Sequence, residues 1–218
     1  MTTAIVRARQ PEATVRMGTV MSIPALLRSF GVDPEVVLGE IGCDVALFDD
    51  PDRRMSLAAH NRIVEHCAMR THCPHFGLLV GQQDGLESLG LVGLLVKHSP
   101  DVGTALERLV RHLAVHVRGA CARLTLTERL AILTWELYAP GLDAVELVGD
   151  GAIAVYCNIL HELCGPDWRP AEVHLARRTP ADTGPYRRFF RVPLRFDAEE
   201  FALLFPRRWL SHRLPPVD

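Results

Sequence analysis

From Ser22 onward, apolar residues recur at helical spacing. Ser22 is placed to cap a helix with Pro24 in its first turn, an apolar face of Leu26, Leu27 and Phe30, and Gly31 at its end. Asp33-Pro34 opens a second short helix carrying Val36, Val37 and Ile41, which Gly42 stops. "DDPDRRMS" reads as a turn-rich joint. Ser56 then caps a longer helix to about Arg70, with Leu57, Ile63, Val64 and Cys67 inward. Pro74 opens "PHFGLLVGQQ", and the Gly-punctuated "LGLVGLLVKHS" follows. Pro100-Asp101 caps a helix through Ala105, Leu106, Leu109 and Leu113. Residues 1–21 show no such stripe and are expected to be a flexible N-terminal segment, with one domain over 22–218.

The period then changes. "VHVRGACARLTLTERLAILTWELYA" alternates in parts and is rich in β-branched and aromatic residues, predicting a hairpin over about 115–126 and 130–138 that turns at Thr127-Glu128-Arg129. A long helix is expected over about 143–164, with Val145, Val148, Ala152, Val155, Ile159 and Leu163 at spacings of three and four. "AEVHLAR", "VPLRFD" and "EFALLF" read as short strands and "ADTGPYRRFF" as a turn or short helix. The fold class is α+β: a helical N-terminal half packed with a small, mostly antiparallel sheet and a long central helix.

Composition adds limits. The 218 residues are 48% hydrophobic and 23% charged, enough for a substantial core. A net charge of −2 argues against non-specific nucleic-acid binding, which needs clustered cations. No apolar leader and no run near the roughly 20 apolar residues of a membrane span is read here, so a cytoplasmic chain with reduced thiols and no membrane partner is expected. Glycine-rich phosphate loops are absent, no cofactor is implied, and the glycines at 90 and 93 read as aids to close packing or tight turns. The Arg doublets beginning at 53, 177, 187 and 207 have acidic residues interleaved and read as a solvated mixed-charge face.

Several segments in order carry a resemblance: "GVDPEVVLGEIG", "DPDRRMS", "FGLLVG" with "LGLVGLLVKHSPDVGTALERLVRHL", and "EVHLARRTPADTGPYRRFFRVPLRF". Together the chain resembles the N-terminal effector-binding and dimerisation region of the arabinose-binding branch of AraC/XylS-type transcription regulators. One departure is Val102-Gly103, where the family usually has Thr-Leu-Gly. The resemblance implies a small-molecule effector, a homodimer and no enzymatic turnover. It also implies DNA contact only through a helix-turn-helix module absent from this chain, which ends at "RLPPVD".

A ligand pocket of this kind should be largely apolar with a few placed polar groups. The candidates are Trp135 and Tyr138 on the second strand, His116 and Arg118 sharing a face of the first, Tyr156 on the long helix and His112 just before the hairpin. Arg118 would suit a carboxylate.

Two other chemistries compete. "HCAMRTHCPHFG" gathers His66, Cys67, His72, Cys73 and His75, with His60 upstream, and suggests zinc. Its spacings fit poorly: His66 and Cys67 are adjacent on a helix, and only His72/His75 has the two-to-four spacing of a structural site. The family aligns His72 and Cys73 with a turn usually holding Gly and a small polar residue. The plainer reading buries Cys67, puts His72 and Cys73 in a turn, and leaves His60 and His75 at the surface. The remaining alternative is a small Cys/His-dependent enzyme using Cys157 and His161, four apart on the long helix.

Overall fold

A computed structural model describes residues 13–215. Its helices are α1 (Ile23–Ser29), α2 (Pro34–Gly39), α3 (Leu57–Arg70), α4 (Phe76–Gln82), α5 (Leu91–Lys97), α6 (Val102–His116), α7 (Val145–Cys164) and α8 (Gly184–Phe190). Its strands are β1 (Thr14–Arg16), β2 (Arg54–Ser56), β3 (Ala120–Leu126), β4 (Leu130–Leu137), β5 (Glu172–His174), β6 (Leu194–Arg195) and β7 (Phe201–Pro206). The class is α+β. Asp33, Ser56 and Asp101 each cap the following helix by accepting from a backbone N–H in its first turn.

The main sheet has the order β3-β4-β7-β5-β6, antiparallel except for β5 beside β6. β7 lies between β4 and β5 and is buried over Phe201–Phe205, matching its unbroken apolar run. β4 and β7 register Trp135 opposite Phe201. β1 and β2 form a separate two-stranded ladder.

Two hydrophobic cores result. One joins the main sheet to α5, α6 and α7, with Trp168, Tyr186 and Phe205 fully buried. The other gathers α1 to α4 around Leu27, Leu38, Cys67 and Phe76. They meet where α4 crosses α7. A Cβ added at Gly77 would sit 1.9 Å from the Leu147 carbonyl oxygen, and one at Gly81 2.2 Å from that of Gly151. Backbone therefore lies on backbone at this crossing, and only glycine permits it. Asn158 of α7 donates to the carbonyls of Gly81, Gln82 and Asp84, satisfying the C-terminal end of α4.

Several expectations need correction. Residues 14–21 are not a loose lead-in: Thr14–Arg16 is a strand, Met17–Val20 a 3-10 turn, and Met17 and Val20 are buried. The stretch is too short for periodicity to reveal. The part of that expectation on residues 1–12 lies outside the described residues. Ser22 caps nothing, because the preceding turn runs directly into α1 and its hydroxyl has no partner. The hairpin's first strand begins at Ala120, not 115, because α6 continues through His116. His116 and Arg118 therefore share no strand face. α7 is itself 20 residues long and apolar enough in composition to cross a membrane, contrary to the reading above. It is the core helix, with 61% of its apolar window buried inside the fold.

Gly77→Ala is expected to destabilise the protein by roughly 1–3 kcal/mol, the usual range for overpacking. The same change at Gly39, where an added Cβ meets nothing within 4 Å, is expected to be neutral or stabilising. Urea unfolding of the two variants compares them. An unchanged midpoint for Gly77→Ala would contradict the tight crossing.

Candidate functional site: a cavity at the seam of the two cores

Beside the α4–α7 crossing lies a half-open cavity of about 80 Å³. Its walls come from both cores. Val20, Val64 and Val80 belong to the α1–α4 core, and Leu113, Trp135 and Val155 to the sheet core. The three glycines of the crossing, Gly77, Gly81 and Gly151, form part of the wall. The lining is otherwise apolar apart from Thr19, His60, His116 and Tyr156, with the Trp135 indole. Among the described residues, no Lys, Arg, Asp or Glu side chain lines it.

The polar groups differ in how they are satisfied. His60 is buried, and its Nδ1 lies 3.2 Å from Asn61 Oδ1. Asn61 in turn donates to the Asp143 carbonyl at 2.7 Å, tying α3 to the segment before α7. His116 Nδ1 and the Tyr156 hydroxyl have no partner among the described residues. Buried polar atoms are ordinarily paired, so two orphans on one cavity call for an explanation.

Burial sets the charge of these groups. It lowers the His60 pKa, against a small opposing effect of Asn61. It brings His116 down to about 3, with further lowering from Arg16, His60 and Arg54. It raises that of the Tyr156 phenol. At neutral pH the cavity therefore presents two neutral imidazoles and a neutral phenol.

The nearby arginines make their bonds elsewhere. Arg16 is ion-paired with Asp52 and donates to the Ser88 carbonyl. Arg54 donates to the Val115 carbonyl at 2.8 Å and to Thr14. These bonds hold β1 and the following turn, which carries Val20, against the end of α6.

Of the six residues singled out in the sequence, His116, Trp135 and Tyr156 lie together on the cavity wall. His112 is half-buried one helical turn before His116 and does not line it. Arg118 is exposed in the link between α6 and β3, where its backbone pairs with Thr14. Tyr138 is 61% exposed beyond the end of β4. The sequence reading missed the contributions of α3, α4 and the N-terminal turn. His60 had a usable signal: with Leu57 and Val64 it forms a three-four spacing on one helix face. It was expected at the surface and is buried.

The Cys/His segment is dispersed by the fold. His66 pairs with Glu40 at 3.0 Å, Cys67 sits in the core with its thiol pushed up to about 12, and Cys73 is buried. His72 adopts φ of +50°, which accounts for the glycine usual at that turn. Among the described residues, no three His, Cys, Asp or Glu side chains are grouped to hold a metal ion. Cys157 Sγ and His161 Nδ1 do face each other at 3.8 Å. Burial raises that thiol to about 12, so it lacks the thiolate that nucleophilic chemistry requires.

Two buried acids went unread in the sequence. Asp150 on α7 accepts from Arg177 and from the Tyr186 hydroxyl, which clamps α8 and the segment after β5 onto the long helix. Arg177 is thus buried rather than part of a solvated doublet. Asp84, after α4, is buried with Oδ2 unpaired, and burial raises its pKa to about 7.

An apolar cavity with a few convergent polar groups is the ordinary form of a small-molecule site. Comparisons with known proteins show the family of the chain. Residues 31–214 match the family described as the arabinose-binding domain of AraC transcription regulators, N-terminal. The chain belongs to this family. It is 30% identical over 213 residues to the HTH-type transcriptional regulator VirS of Mycobacterium tuberculosis, covering 94% of this chain and 60% of that protein. It is 23% identical over 186 residues to the ornithine utilization regulator of Pseudomonas aeruginosa, covering 85% and 55%. The crystal structure of the transcriptional regulator CdpR from Pseudomonas aeruginosa superposes with a TM-score of 0.66 at 14% identity, over 97% of this chain and 60% of that one. The chain thus spans about 60% of the VirS sequence and about 55% of the ornithine utilization regulator.

Asp84 gives a pH prediction. Its carboxyl titrates near 7 when folded, against 3.8 for the free group. Between those values the folded chain holds a proton that the unfolded chain has lost, so stability falls as pH rises from about 4 to about 7. Asp84→Asn removes this dependence. Its gain over wild type is expected to be larger at pH 8 than at pH 4, on the order of a few kcal/mol at most. Thermal unfolding at the two pH values measures it, and an equal effect at both would refute the raised carboxyl.

Proposed function

We propose that this domain is the effector-sensing and dimerising part of a longer AraC-type transcription regulator acting in the cytoplasm. The observation that carries the proposal is the cavity, because it combines an apolar lining, two unpaired polar atoms and walls drawn from two separate cores. A molecule bound there touches both cores at once. Its binding energy therefore depends on their relative position, which is the requirement for a ligand to shift a conformational equilibrium.

Size supports a conformational response. A cavity of roughly 150 Å³ suffices for benzene, and this one offers about 80 Å³. An aromatic or longer effector fits only if the seam opens. The resulting displacement of α7 and the sheet against α1–α4 would be passed to the DNA-binding module, through which alone the regulator meets DNA.

Dimerisation is supported by α5. Leu91 is 74% and Leu94 55% exposed, three residues apart on one face. An exposed apolar face of this kind is a usual pairing surface. Leu91→Glu with Leu94→Glu is expected to convert a dimer to a monomer by sedimentation velocity while the circular dichroism spectrum stays unchanged. A double variant that remains dimeric would remove α5 from the interface.

Effector sensing is tested by filling the cavity. Ala152→Phe in the full-length regulator is expected to abolish effector-dependent transcription from a reporter while DNA binding without effector persists. A response that survives in a folded Ala152→Phe protein would place the effector elsewhere.

A further inference from the structure

We infer that the cavity selects an uncharged, mostly hydrocarbon molecule whose one or two polar groups hydrogen-bond the Tyr156 hydroxyl and His116 Nδ1. The inference rests on the cavity's being the effector site and specifies what that site accepts.

The first argument is the lining. Among the described residues it holds no charged side chain, so a carboxylate or ammonium placed there would lose its hydration with no counter-charge from them in contact. The two arginines whose charge reaches His116 are already committed: Arg16 to Asp52 and Ser88, Arg54 to Thr14 and Val115. Arg118, the residue the sequence offered for a carboxylate, is exposed outside the cavity. A free amino acid would bring two opposite charges into the same apolar space.

The second argument is the count of polar partners. A sugar carries a hydroxyl on nearly every carbon, and each one buried without a partner is costly. Here the polar side chains on the wall are His60, His116 and Tyr156, with Thr19 at the half-buried margin. Nδ1 of His60 is already held by Asn61. So few partners match an amide, alcohol or phenol on a hydrocarbon frame and leave a polyol largely unsatisfied.

The third argument is protonation. Both imidazoles are neutral at physiological pH, for the burial and neighbouring positive charges already described. A neutral imidazole either donates or accepts at Nδ1 according to its tautomer, and the phenol does both. The site thus adapts to either sense of hydrogen bond while offering no net charge to an ion.

The test uses matched probes on phenyl, indolyl and hexyl skeletons, each carrying a carboxamide, a primary alcohol or a carboxylate. They are titrated calorimetrically at neutral pH into wild type, Tyr156→Phe and Ala152→Phe. The amides and alcohols are expected to bind wild type at least about tenfold more tightly than the carboxylates on the same skeleton. Tyr156→Phe is expected to weaken them about three- to tenfold, the effect of one lost hydrogen bond, and to melt no lower than wild type. Ala152→Phe is expected to bind none of them. If carboxylates bind as tightly as their neutral partners and Ala152→Phe abolishes both, the cavity reading stands and the neutral-ligand inference is overturned. If no probe binds wild type, or binding survives in Ala152→Phe, the cavity reading fails and takes this inference with it.

Discussion

The structure depends on the contact between α4 and α7. Helices normally keep their backbones apart by the width of their side chains, at interaxial distances of about 8–10 Å. Here Gly77 and Gly81 remove that spacing on one helix and Gly151 on the other, and carbonyl oxygens occupy the space a methyl group would need. The crossing fixes where the α1–α4 core meets the sheet core. The cavity lies beside it, with Gly77, Gly81 and Gly151 in its wall. Asn158 reinforces the join with three bonds to the end of α4.

Buried polarity is treated in two opposite ways on the same long helix. Asp150 faces away from the cavity wall and is met by Arg177 and Tyr186, an arrangement that fixes α8 and the sheet edge in place. Breaking such a pair from one side leaves a stranded charge, so the clamp is rigid. Tyr156, less than two turns later, lines the cavity with its hydroxyl unmet. One end of the helix region is anchored through Asp150 Oδ2, its Oδ1 having no partner among the described residues, and the other borders a gap, which makes α7 the element through which the two cores can influence one another.

Much of this architecture was legible in the residues. Asp33, Ser56 and Asp101 marked helix starts because capping is local chemistry, and Thr127–Arg129 marked the hairpin turn for the same reason. His116, Trp135 and Tyr156 could be picked as amphipathic or aromatic side chains near the strand pair and the long helix. What could not be read depends on distant partners. Asp150 and Arg177 are 27 positions apart, and nothing local pairs them. β1 is only three residues long and owes its structure to β2 and to Arg118. The spacing of Gly77 and Gly81 by four puts them on one helix face, but their partner on α7 had no counterpart in the local pattern. The exposed Arg118 and Tyr138 show the converse error, in which suitable chemistry stands in the wrong direction: Arg118 because the first strand was begun five residues early, Tyr138 because β4 ends at Leu137.

The unpaired Tyr156 hydroxyl and His116 nitrogen, together with the void beside them, have a bearing on selection. Each feature lowers the stability of the unliganded fold, and each has an obvious remedy: a phenylalanine, a leucine, a larger residue at Ala152. A lineage in which this domain served only as a scaffold would drift toward those remedies, since stabilising changes are easily found wherever function does not oppose them. Retention of the defects across descendants would record a working binding site, and their erosion would date its loss.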